Sequence, residues 1–239
     1  MIQTTQNDMS VSVEERSCVA ASVVDEMYEL FSHYFEDHAR SVFEADLANK
    51  DQVILLRAGV ELVGFSTMTI TVERFAGEDI AVLYSGDTII DRDHWGSGRL
   101  EMAFLATALE IRKELGLPLY WLLICSGFRT YRYLTSFMQE YWPRWDQPTP
   151  GNAQAMLDFL ASKRFGSAYR DGIVRLDGGR LRANVSPIDI NRMSHPHVAF
   201  FARANPGHAQ GHELACITRF EPDNLSRAGL RVLRKVQRR

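Results

Sequence analysis

The chain has 239 residues, 46% of them hydrophobic and 24% charged, with 16 Gly and 8 Pro. That composition excludes a disordered or collagen-like chain, and the length suffices to bury a full core. A net charge of −3 argues against a strongly basic nucleic-acid binder, yet the last thirteen residues hold six Lys/Arg and no acid, leaving −9 on the body before them.

No basic stretch followed by an apolar core opens the chain, so no secretory signal is predicted. The longest apolar runs, such as 119–125, are too short to span a bilayer. Cys18, Cys125 and Cys216 are odd in number and widely spaced, which predicts buried, inert thiols in a reducing, cytoplasmic setting.

Residues 1–20 are polar and aperiodic and read as a mobile or loosely docked N-terminal arm. From there, Val24, Met27, Phe31, Tyr34 and Phe35 mark the stripe of an amphipathic helix, and Val42, Phe43 and Leu47 a second short one. Strands over 53–57 and 63–72 flank a turn at Ala58–Gly59, an antiparallel hairpin. A further strand runs over 80–84 and on through 87–90; Gly86 inside it signals a bulge or a close backbone approach. A glycine-bearing loop, 91–98, then opens a long helix to about Leu115, stopped by Gly116 and Pro118. The apolar run 119–124 reads as a central strand buried on both faces, parallel to its predecessor through a right-handed crossover.

Beyond Pro143 the pattern changes. Residues 152–163 read as a helix, 172–182 as a hairpin turning at Asp177–Gly178, and 184–224 as loop-rich with apolar runs at 198–201 and 214–217. The tail, 225–239, reads as a basic surface helix docked on the acidic body. His195, His197, His208 and His212 fall within eighteen residues, but Gly207, Gly211 and the prolines around them give turn chemistry, so loop histidines and no metal site are expected.

Chemistry concentrates at Asp93-His94-Trp95-Gly96-Ser97-Gly98. A helix start presents unpaired N–H groups and a positive dipole end, which suits a phosphate, and Gly96 and Gly98 clear the approach to the backbone. The strand–loop–helix–strand order and this loop resemble the GNAT superfamily of acyl-CoA-dependent N-acyltransferases. In that family a Gln/Arg-x-x-Gly-x-Gly/Ala loop wraps the coenzyme A pyrophosphate. Both glycines match here, and Asp93 replaces the leading Gln or Arg, with Arg92 and Arg99 as nearby cations. The family's Asn-x-x-Ala-x-x-x-Tyr pattern after the next strand matches at Tyr133 alone.

The resemblance covers 24–142 and implies a mixed, mostly antiparallel α/β sheet flanked by helices. The chain divides into the arm (1–20), a GNAT-like core (21–145) and a C-terminal α+β extension (146–239). The implied activity is transfer of an acyl group from acetyl-CoA or a longer acyl-CoA to a small-molecule amine, without metal. Tyr133 would protonate the thiolate, with Tyr131 and Tyr141 as rivals. Asp87 would take the amine proton, with Asp91, Tyr84 and Glu101 as further carboxyl or phenol candidates. Ile89 and Ile90 would hold the thioester carbonyl, and Arg92, Trp95, Gly96, Ser97, Gly98 and Arg99 the donor. Two alternatives stand beside this reading. One is an acyl-carrier-protein-dependent enzyme like the N-acyl amino acid or acyl-homoserine-lactone synthases; the other is a GNAT-shaped binding module without catalysis.

Overall fold

Segments rich in Val, Ile, Leu and Phe pair as strands because the ladder satisfies their backbone while the pleat buries their side chains. In the computed structural model, which describes residues 9–176 and 179–236, one sheet has the spatial order β1 (Met9–Glu15), β3 (Gln52–Ala58), β4 (Glu61–Phe75), β5 (Glu78–Ile90), β6 (Leu119–Cys125), β10 (Glu213–Arg219), β8 (Ile173–Val174) and β7 (Tyr169–Arg170). Within it β5 and β6 are parallel and the other neighbours antiparallel. A short pair, β2 (Phe35–Glu36) with β9 (Arg180–Leu181), stands apart from it.

Alternation along the strands gives two apolar faces. One packs under α3 (Arg99–Leu115), α4 (Phe128–Phe137), α7 (Pro196–Ala204) and α8 (Arg227–Val236). The other packs under α1 (Ala21–Tyr34), α2 (Arg40–Ala48) and α5 (Gly151–Phe165). A single turn, α6 (Ile190–Met193), precedes α7. Gly116 ends α3 in the left-handed conformation, as its place in the sequence predicts.

Two irregularities of β5 position the site. Pairing of β5 with β6 stops at Ser85 and Leu123, so beyond that point β5 follows β4 while β6 follows β10. The second is the bulge that Gly86 signals: Ser66 faces Thr88 and Met68 faces Ser85, so Thr67 alone opposes Gly86 and Asp87. An extra residue reverses the side-chain alternation. Before it, Ala81 and Leu83 face α3; after it, Ile90 does, and Ile89 faces α1 and α2. The bulge therefore turns Asp87 away from the α3 core.

Several expectations are corrected. The arm is in part a strand: Met9–Glu15 forms the sheet edge, pairing with β3. The flanks of the 172–182 hairpin do not pair with each other, since β8 joins β10 and β7 while β9 joins β2; the turn at Asp177–Gly178 lies outside the described residues. The apolar runs of the loop-rich segment are α7 and the central strand β10, which builds the extension into the sheet beside β6. Cys18 is exposed, whereas Cys125 and Cys216 are buried with their sulfurs 4.0 Å apart.

Candidate active site

The parting of β5 from β6 opens a cavity of about 710 Å³, roofed by α1, α2 and the β9 segment and floored by α4. Its wall includes Asp87, Ile89, Ile90, Trp95, Gly96, Glu101 and Tyr133, which brings the sequence-predicted strand, loop and helix residues to one space. Arg92, Ser97, Gly98 and Arg99 are not among the lining residues.

The loop end is built by α3's start and α4. Gly98 is the residue before α3, in the left-handed region at φ 69°, and Gly96 stands at φ 83°. A Cβ at either would meet nothing within 4 Å, so the glycines leave open space in front of the backbone. Trp95 donates its ring N–H to the Ile90 carbonyl at 2.8 Å, tying the loop to the end of β5. Asp91 N–H donates to the Val63 carbonyl at 2.7 Å, so ladder alternation directs the Ile90 amide away from β4, toward the gap.

Cations surround Trp95. The guanidinium of Arg129, on α4, lies 4.1 Å from its ring centroid and that of Arg92 5.5 Å. Arg129 Nε is buried without a hydrogen-bond partner in the described structure. Burial and the neighbouring Arg192, Arg132 and Arg92 all lower its pKa, so its positive charge lacks a compensating anion there. Asp93 is exposed and off the cavity wall, so the departure from the family loop places no side chain inside.

Another part of the wall is acidic. Asp87 on β5, Glu213 at the start of β10 and Asp46 on α2 line it with Tyr84. Burial and then Asp46 push Asp87 up to about 7, against the pull of Lys50. Burial, Asp87 and Asp46 likewise push Glu213 up to about 7, against a hydrogen bond from Ser126. The guanidinium of Arg164 covers the Tyr84 ring at 3.5 Å. Burial drives the Tyr84 phenol far up, which keeps it protonated near neutral pH.

The three tyrosines separate clearly. Tyr131 is fully buried and donates to the Pro143 carbonyl at 3.0 Å, and Tyr141 packs edge-on against it. Tyr133 lines the cavity, stacked on Phe137, with Glu101 and Arg129 near it. Burial raises its pKa, keeping the phenol protonated through the neutral range. Asp91 accepts from the Tyr34 hydroxyl at 3.0 Å and from Asp93 N–H at 3.0 Å, a loop-bracing role. Glu101 has a buried oxygen without a hydrogen-bond partner, and burial raises its pKa.

Sequence reasoning did not single out Glu213, Lys50, Asp46 or Arg164, and it passed over Arg129 as a mismatch. Glu213 heads the apolar run 214–217, a signal that becomes readable once that run is known to be a strand beside β6. Among the described residues no group of three or more His, Cys, Asp or Glu is placed to hold a metal, and no helix is long and apolar enough to cross a membrane.

The chain is similar in fold to solved structures described as N-acetyltransferases or as a probable N-acyltransferase. One, from Kribbella flavida, is 12% identical at a TM-score of 0.42, over 56% of this chain and 35% of that one. A conserved protein of Enterococcus faecalis is 16% identical at 0.43, over 58% of this chain and 37% of that one. An Escherichia coli GNAT family N-acetyltransferase, solved with CoA, is 16% identical at 0.39, over 54% and 68%. The chain thus spans little more than a third of the first two. No family model matches the chain, and no curated protein matches its sequence.

Proposed function

We propose that the chain is an N-acyltransferase that moves an acyl group from a coenzyme A thioester to a small-molecule amine. One observation carries this reading: a single cavity is lined both by Trp95, Gly96 and the Arg129 cation and by the carboxyls of Asp87 and Glu213, which are poised near neutrality. The donor's phosphates would lie at Gly96, Ser97, Gly98 and Arg129, with Arg92 and Arg99 flanking. The Ile90 amide would donate its N–H to the thioester carbonyl oxygen, with Ile89 beside it on the cavity wall.

An ammonium acceptor first gives a proton to Asp87, and the neutral nitrogen then attacks the carbonyl carbon. The tetrahedral intermediate collapses by breaking the C–S bond, and Tyr133 gives its proton to the departing sulfur. The nitrogen gives up its second proton, which restores Tyr133; an amide and free thiol result, and the Asp87 proton leaves to solvent. Such acid and base assistance is worth about 10²–10⁴-fold per group.

Thiol release from acetyl-CoA and longer acyl-CoAs, followed with a pool of amines, tests the reading. Tyr133→Phe should lower turnover by about 10²-fold while leaving donor affinity near the wild-type value. Unchanged turnover removes Tyr133 from the reaction. Turnover with acyl-carrier thioesters alone favours the carrier-dependent alternative, and ligand binding without any turnover favours the binding module.

A further inference from the structure

Lys50 is a buried cation behind the cavity wall, beside Tyr84 and Gly86, that the reaction above leaves without a task. It follows α2, its side chain is fully covered, and its ammonium contacts Asp46 at 2.7 Å. Asp46 is itself about half exposed, and a solvated i, i+4 pair gains little, so that contact alone does not account for burying an ammonium.

The ammonium sits under the β5 bulge, 5.1 Å from the Tyr84 ring centroid. A Cβ at Gly86 would stand 2.8 Å from Lys50 Nζ and 2.7 Å from Thr67 Oγ1. Gly86 is not in the left-handed region, so the position needs glycine for space and not for its backbone angle. The missing side chain is the seat of the ammonium, one residue from Asp87.

We propose that Lys50 is a positioning residue: seated in the space that Gly86 leaves, one residue from Asp87, its charge favours the ionised Asp87 that accepts the amine proton. The inference rests on Asp87 as the base. The charged and titratable groups around Lys50 and Asp87 are Asp46 from α2, Tyr84 from β5, Arg164 from α5 and Glu213 from β10. Burial and Asp46 oppose ionisation of Asp87, while Lys50 favours it.

The test titrates Asp87 by carbon NMR of its carboxyl, assigned with Asp87→Asn, beside pH–rate profiles. In Lys50→Met the Asp87 titration should move up by about one pH unit, and Lys50→Arg should return it most of the way. Gly86→Ala, which keeps the lysine but denies it the seat, should move it in the same direction as Lys50→Met. Turnover of Lys50→Met at pH 7 should fall about five-fold and recover by pH 9, with KM for acyl-CoA unchanged. An unmoved Asp87 titration in a folded Lys50→Met protein overturns the proposal even if turnover falls. A moved titration in a protein that turns over no thioester upholds the pairing and overturns the functional reading.

Discussion

As the proposed base, Asp87 meets two opposing demands: it must ionise near neutral pH while its surroundings exclude water. Its pKa near 7 means that the folded protein binds the carboxyl proton more tightly than the unfolded chain does. Stability from this group is therefore greatest below the ordinary carboxylate range and is lost as pH rises toward and through about 7. Glu213 behaves in the same direction. Asp87→Asn, which carries no charge at any pH, should melt above the wild type at pH 8, with the gap narrowing by pH 5 and closing below the ordinary carboxylate range. Thermal melts across that range check the sign; a wild type that gains stability relative to Asp87→Asn on going from pH 5 to pH 8 contradicts it.

At the scale of elements, a one-residue bulge and a glycine-opened helix start do the positioning. Gly98 is the more testable of the two, because its left-handed φ of 69° leaves a Cβ sterically free but conformationally strained. Gly98→Ala should cost about 1–2 kcal/mol in a urea melt and weaken donor binding through displacement of the loop. An unaffected donor affinity would separate the loop from the donor site. Both glycines were legible in the sequence, as were α3 with its Gly116 stop and the parallel β5–α3–β6 unit, because periodicity and turn residues are local signals. The bulge at Gly86 was legible, but its effect on Asp87 was not, since alternation matters only once the faces of the sheet are known. Asp177–Gly178 misled for the converse reason: a turn signal says nothing of which strands its flanks join, and β8 and β9 find partners far away in the chain.

For the molecule as a whole, the C-terminal extension completes the sheet and supplies part of the cavity. Strand β10 brings Glu213 beside Asp87, across 126 residues of sequence, and no spacing rule encodes such a meeting. The basic tail docks as α8 over α3 and α4, as its amphipathic pattern predicts. That docking is close at Gly229, where a Cβ would lie 2.7 Å from the Phe137 carbonyl oxygen. Gly229→Ala should therefore destabilise by about 1–3 kcal/mol through overpacking, although alanine is the better helix former by about 1 kcal/mol. A raised urea midpoint would show that α8 is free to shift.

In the proposed reaction, the carboxyls of the cavity serve an amine and the arginines about Trp95 a phosphate-bearing donor. The pH–rate profile of amine-dependent thiol release, measured for the wild type and Asp87→Asn, tests this most directly. The account predicts release that rises with pH through an apparent pKa near 7 and falls by about 10²-fold or more in Asp87→Asn. Wild-type release in Asp87→Asn, or a profile flat from pH 5 to pH 9, would contradict it.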